Sequence, residues 1–303
     1  MVSDSADWSL QCNGCGRCCN SPPLLSLPEL FHHRRRFIGC LSVRRLPAHS
    51  TSAQRELAGQ LLPGSAAAGV VLLLQGYTWP SQQRCPALGP DQLCSVHHDR
   101  KPLTCRVVPL DALTPDSEQS PLLAERAAQS EWLGADCLRP FTASATGQIL
   151  LRQHRVEDTD YLAALAQRRR DLQLERQYWG DAIHAMLLPE LAGTSRLPVQ
   201  GYISLPLVPI LAHLAVQSNA LRLQCQLFLV DQLTLINSRI SSAIASKNPQ
   251  DRASTQELRG FADAYQRLLG HLQRDSIAKT TLSGEASLQW LLGLAEPQAG
   301  VTT

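Results

Sequence analysis

Ten cysteines are spread unevenly along the 303-residue chain: nine lie at or before Cys137, and Cys225 stands alone beyond it. Four fall within eight residues, Cys12-Asn-Gly-Cys15-Gly-Arg-Cys18-Cys19. Thiolates crowded this closely repel one another unless a cation neutralises them, and a soft or borderline metal ion does so. Gly14 and Gly16 let the backbone curl, so that several sulfurs can converge on one point. Neighbouring side chains diverge, which leaves Cys19, directly after Cys18, available to a second site. Cys85, Cys94, Cys105 and Cys137 follow. Gly89-Pro90-Asp91 is a turn signal that lets Cys85 and Cys94 face one ion from the two ends of a tight loop. The candidate metal ligands are therefore Cys12, Cys15, Cys18, Cys19, Cys85, Cys94, Cys105 and Cys137. Eight thiols supply two four-sulfur sites, or one site with spare, structural or redox cysteines, and spacing does not choose between these.

The C-x2-C-x2-C run has the opening spacing of a bacterial ferredoxin, in which three thiolates hold one cluster and a distant cysteine completes it. The expected cofactor is an iron-sulfur cluster, 4Fe-4S in form, or zinc, since thiolates serve both metals. Cys40 has no motif partner and Cys225 falls on an apolar helical stripe, so both read as small hydrophobes of the core. His97 and His98 read as polar residues of a loop beside the metal, although they add nitrogen donors. Arg17 and Arg106, each next to a cluster cysteine, either offset thiolate charge or are solvated. The run His32-His-Arg-Arg-Arg36, with Arg44 and Arg45 behind it, reads as a solvated face rather than a docking site for an acidic partner.

The run from Cys12 to Cys19, then Cys85-Pro and Cys94, then His98-Asp-Arg-Lys-Pro102-Leu-Thr-Cys105-Arg106, resembles the YkgJ-like cysteine-cluster family of zinc- or iron-chelating domains. The likeness covers residues 10–140. It implies metal binding and, because the family borders the flagellin lysine N-methylases, methyl transfer from S-adenosylmethionine to a protein lysine on a flagellin-like partner. The chain departs from the family at His97 and His98, where many members carry tyrosine. No catalytic or S-adenosylmethionine-binding residue can be named, because the familiar glycine loop for that cofactor is missing. The C-x3-C-x2-C signature of radical enzymes is missing too, as are a P-loop, a G-x-G-x-x-G, an H-E-x-x-H and a G-x-S-x-G. The alternatives are a non-enzymatic, zinc-stapled interaction protein and a metal-delivery protein.

The elements that must position these thiols fall in two halves. Apolar residues make up 44% of the chain and charged residues 18%, and the formal charge is +2. That is an ordinary globular composition with no global field for nucleic acid or anionic membrane. Residues 1–10 carry no secretory pattern, and the longest apolar stretch, 203–216, is broken by Pro206 and Pro209 and too short to span a bilayer. A cytoplasmic location follows as an expectation, and its reducing conditions favour metal ligation over disulfides. The fold class is α+β and mostly helical: a loop-rich cysteine-cluster domain over 1–155, then an all-helical domain over 156–303, with a soft boundary that allows one body. Strands are expected at 70–74 and 149–151. Ser26 and Glu29 form a capping box ahead of a helix over 27–37, with Pro28 in its first turn. Asp158 or Thr159 caps a helix bearing Tyr161, Leu162, Leu165 and Leu172, and Trp179, Ile183, Met186 and Leu187 make the next stripe. Leu221, Cys225, Phe228, Leu229, Leu233, Ile236, Ile240 and Ile244 mark a core-facing helix. Ser254 and Glu257 form a second capping box before Leu258, Phe261, Ala262, Tyr265, Leu268, Leu269 and Leu272, and a last helix is expected over 286–294.

Overall fold

The computed structural model describes residues 7–12, 14–65, 69–82, 84–129, 137–141, 147–192, 197–198, 200–274 and 282–293. In chain order these contain β1 (Trp8–Leu10), α1 (Leu27–His32), β2 (Gly39–Arg45), α2 (Ser52–Leu61), β3 (Gly64–Ser65), β4 (Val70–Gly76), α3 (Leu103–Val107) and α4 (Gln119–Ala128). Then come β5 (Leu138–Pro140), β6 (Gln148–Arg152), β7 (Arg155–Val156), α5 (Thr159–Glu175), a π turn (Arg176–Gly180), α6 (Asp181–Ala192), β8 (Ile203–Leu205), α7 (Val208–Ala215), α8 (Asn219–Ser246), α9 (Arg252–Arg274) and α10 (Leu282–Leu291). The protein is mostly helical with small antiparallel sheets; its cysteine-rich part is rich in loops and strands and its later part in helices. Among the described residues no helix is long and apolar enough to cross a membrane.

The expected strand at 70–74 is the heart of the sheet ordered β3-β4-β2-β8. Side chains alternate across a strand, and here both faces are covered: Val70, Leu72 and Leu74 join the largest core cluster, while Val71 and Leu73 join a smaller one with Ala58, Leu61, Leu62 and Leu172. A strand covered on both sides has no polar face to show, which is why it reads as an unbroken Val-Val-Leu-Leu-Leu run. The largest cluster continues from α1 and β2 into α7, α8, α9 and α10, so residues from before and after position 155 share one core. Phe31 stacks on Phe228 with ring centroids 4.5 Å apart. The second sheet, β5-β1-β6-β7, closes around Trp8, Leu138, Leu150 and Leu151 beneath α4 and α5. Helix α5 joins the two, giving Ala164 and Leu165 to the second sheet and Leu172 to the first.

The helix starts follow local chemistry. Ser26 and Glu29 form the expected box, with Glu29 N–H donating to Ser26 Oγ and Ser26 N–H to the Glu29 carboxylate, and Asp158 Oδ1 accepts the N–H groups of Asp160 and Tyr161. Several expectations need correction. Helix α1 ends at His32 rather than near 37, because buried Gln232 of α8 takes the carbonyls of Arg34 and Phe37 at 2.6 and 2.9 Å and the Gly39 N–H at 2.8 Å. That clasp turns the chain into β2. The basic run is not simply solvated: Arg34 and Arg35 both pair with Asp231, at 2.6 and 3.0 Å. Ser254 does not cap α9, which starts at Arg252 out of a 3-10 turn whose Gln250 N–H is taken by Asn248. Leu162, Met186 and Ile244, counted toward apolar stripes, are exposed. The last helix runs from Leu282 to Leu291 and was expected to reach Leu294, which lies outside the described residues.

Candidate metal centre

The N-terminal arm turns where its glycines stand. Gly14 and Gly16 hold φ of +68° and +69°, the left-handed region that suits glycine. A 3-10 turn over Arg17–Cys19 follows, closed by the Cys19 N–H on the Gly16 carbonyl at 3.0 Å. A side chain at Gly16 would crowd the Leu88 methyls and Gln92 Oε1 at 3.2 Å, so the arm lies directly on the 85–94 loop. One backbone bond seals the contact, from the Cys85 N–H to the Cys19 carbonyl at 2.7 Å.

The loop is folded by its own turn residues. Leu93 N–H donates to Asp91 Oδ1 at 3.0 Å, and Gly89 N–H to the Leu93 carbonyl at 2.8 Å. Leu88 and Cys94 then form an antiparallel bridge, which returns Cys94 toward Cys85 as the turn signal implied. The Ala87 N–H points at Cys85 Sγ from 3.4 Å. Cys105 arrives on short α3, whose first N–H, that of Leu103, donates to Glu29 Oε1 at 2.7 Å. Glu29 therefore serves two helices: Oε2 closes the box of α1 and Oε1 holds the start of α3.

Cys19, Cys85, Cys94 and Cys105 act on one another in every pairwise combination. Burial pushes the Cys105 thiol up to about 12, and the neighbouring Cys85 and Cys94 add to the rise while Lys101 opposes it. Cys85 is raised first by burial and then by Cys94, with Arg36 opposing. Cys19 moves down because Cys18 hydrogen-bonds to it, against the pull of burial and of the other three thiols. Cys18 moves up, chiefly through that same bond. Two cations, Lys101 and Arg36, thus stand against a group of thiols that hinder one another's ionisation. A bound metal ion removes that conflict, because it supplies the positive charge at the centre of the group. The donor set fits such an ion.

The other candidates are Cys18, which hydrogen-bonds to Cys19, and Cys12, Cys15 and Cys137. Cys137, buried, has its carbonyl bonded by the Gln11 N–H at 2.8 Å, next to exposed Cys12. Cys12 and Cys18 both act on Tyr161, whose hydroxyl burial pushes up to about 12. Cys15 is half-buried between the two turning glycines. Among the described residues no three cysteine sulfurs lie within 4.8 Å of one another. His97 and His98 are exposed, edge to face at 4.7 Å, in a shallow hollow with Lys101, Arg106 and Tyr161. Cys40 and Cys225 are fully buried in the main core. The four-thiol group sits where two cores meet: Cys19, Cys85 and Cys94 pack on the largest cluster, and Val107, two residues past Cys105, belongs to the cluster of the second sheet.

Sequence reasoning found the thiols but not the residues that aim them. Glu29 was visible as a cap, with nothing to announce its reach to Leu103. Glu175, whose Oε1 accepts the Leu27 N–H at 2.7 Å and completes the start of α1, left no signal at all.

Residues 11–137 match the model of the CxxCxxCC family, described as "Putative zinc- or iron-chelating domain". The matched stretch holds all eight candidate ligands. No curated protein and no solved structure matches the chain significantly.

Proposed function

From the premise that residues 11–137 are a CxxCxxCC chelating domain, we propose that the chain is a metal-binding protein whose principal centre is Cys19, Cys85, Cys94 and Cys105, holding a 4Fe-4S cluster. Cys12, Cys15, Cys18 and Cys137 form a second, more exposed set. The observation that carries this reading is geometric: the Cys85 N–H bonds the Cys19 carbonyl and the Leu88–Cys94 bridge returns Cys94 toward Cys85, with Cys105 near enough to feel Cys85 and Cys94. Four cysteine thiolates are the ligand set of a 4Fe-4S cluster. When bound it supplies one-electron chemistry or a rigid cross-link between loops. The protein's part is to place the four sulfurs, to keep Lys101 and Arg36 near them, and to pack Leu88 against the arm.

Anaerobic purification tests this. The expected product is brown, with iron and acid-labile sulfide in equal amounts, and Cys85→Ser loses the colour while Cys12→Ser keeps it. A colourless protein with stoichiometric zinc, or a Cys12→Ser variant as pale as Cys85→Ser, would sink the reading.

The interaction-protein reading has one specific observation behind it. Leu223, Leu227 and Val230 stand exposed on one side of α8, spaced as neighbours on a helix. In that case the metal staples the loops and the helical part meets a protein partner. Leu227→Asp would then abolish partner capture and leave metal content unchanged.

A further inference from the structure

Helix α1 stops at His32, and His33 takes a non-helical cap conformation with φ −96° and ψ 22°. Consecutive residues inside a helix point about 100° apart. Here the break swings the two rings together, edge to face with centroids 4.6 Å apart. The segment between Cys94 and Cys105 then lays Asp99 and Arg100 against them. His32 Nε2 stands 3.1 Å from Asp99 Oδ1, and His33 Nε2 stands 3.0 Å from the Arg100 carbonyl oxygen. One ligand atom from each of His32, His33 and Asp99 lies within 4.8 Å of the other two.

A carbonyl oxygen only accepts, so His33 Nε2 carries the proton and Nδ1 keeps its lone pair. Metal-ligating histidines are held in the same manner, one ring nitrogen donating to a backbone carbonyl and the other left for the ion. From this geometry we propose that His32, His33 and Asp99 bind a divalent first-row transition metal ion, at a site separate from the thiols. The donor set is two imidazoles and one carboxylate, with no sulfur. It suits zinc or iron(II) and leaves coordination positions open to water or a small ligand. A tetrahedral ion with bonds of 2.0–2.1 Å spaces its ligand atoms about 3.3 Å apart, close to the 3.1 Å already present between His32 and Asp99. An ordinary surface ion pair accounts for less. His32 is 30% exposed and Asp99 67%, and a pair so wet contributes little. It also leaves unexplained why a third donor, the buried His33, is brought beside it with its ring fixed.

The experiment uses the full chain with its cysteine centres already filled anaerobically. Zinc is titrated and counted, and cobalt serves as the coloured stand-in. Wild type is expected to take up one equivalent more than His32→Ala and one more than Asp99→Asn. Both replaced side chains are partly or largely exposed, so the variants fold. The cobalt difference spectrum should show weak visible bands and no thiolate-to-metal charge transfer. Equal metal uptake by all three proteins overturns the proposal, and so does a charge-transfer band accompanying the extra equivalent. The count is a difference between variants, so it stands whatever the cysteines hold.

Discussion

Replacing Glu175 by glutamine isolates the effect of one buried carboxyl on the scaffold that starts α1. Glu175 is 3% exposed, and burial pushes its carboxyl from the ordinary 4.5 up to about 8, outweighing Arg168 and the Leu27 N–H that favour the charged form. The folded protein therefore holds a proton that the unfolded chain has already released. Stability is greatest below 4.5 and falls as pH rises through about 8, by up to about 1.4 kcal/mol for each pH unit. Asp171, one turn earlier, is pushed up to about 6 by burial and adds a slope of the same sign at lower pH. Roughly pH 6.5 to 8 is thus the window that belongs to Glu175, and about 2 kcal/mol should disappear across it. Glu175→Gln keeps an oxygen for the Leu27 N–H, which lies 2.7 Å from Oε1, but cannot ionise. Denaturant titrations of both proteins through this window measure the difference, because titrating groups that do not act on Glu175 cancel in the subtraction. Wild type should lose stability toward pH 8 relative to the variant. Parallel curves would refute the assignment of a protonated carboxyl at this seam.

Two further substitutions separate positioning from stability. Glu29→Gln offers one acceptor oxygen to two N–H donors, Ser26 and Leu103, and should weaken metal binding about 10- to 100-fold by releasing α3 and Cys105. Ser26→Ala should cost about 1 kcal/mol of stability as a lost cap and leave that affinity alone; equal loss of affinity in both, read by competition with a chelator, counts against Glu29 as a positioning residue. Gln232→Leu strips the partners from two carbonyls and one N–H in the turn before β2, and should lower stability by about 3 kcal/mol or more in equilibrium unfolding.

The legible parts of the fold are those whose causes are local. The box at Ser26, the cap at Asp158, the doubly buried run of β4 and the turn at Gly89-Pro90-Asp91 each depend on residues a few positions apart, and each formed as read. The end of α1 was misjudged because its cause, Gln232, lies in a helix some two hundred positions away. Ile244 and Met186 carry the right spacing for a core stripe, but periodicity names a face without saying how far along the helix its cover extends. Within the candidate centre, the types and spacing of the cysteines marked the candidate donors. Which thiols stand near one another was only partly legible: the adjacency of Cys18 and Cys19 left Cys19 available to a second site, but the Cys85 N–H that bonds its carbonyl is a backbone contact that no spacing rule encodes.

That bond, from the Cys85 N–H to the Cys19 carbonyl, is made of backbone alone and requires no ion. The arm and the loop are therefore held in register by the backbone itself, so part of the ordering entropy of bringing two distant segments together is met during folding. A clasp made by folding leaves less of that cost to be met by whatever the thiols bind.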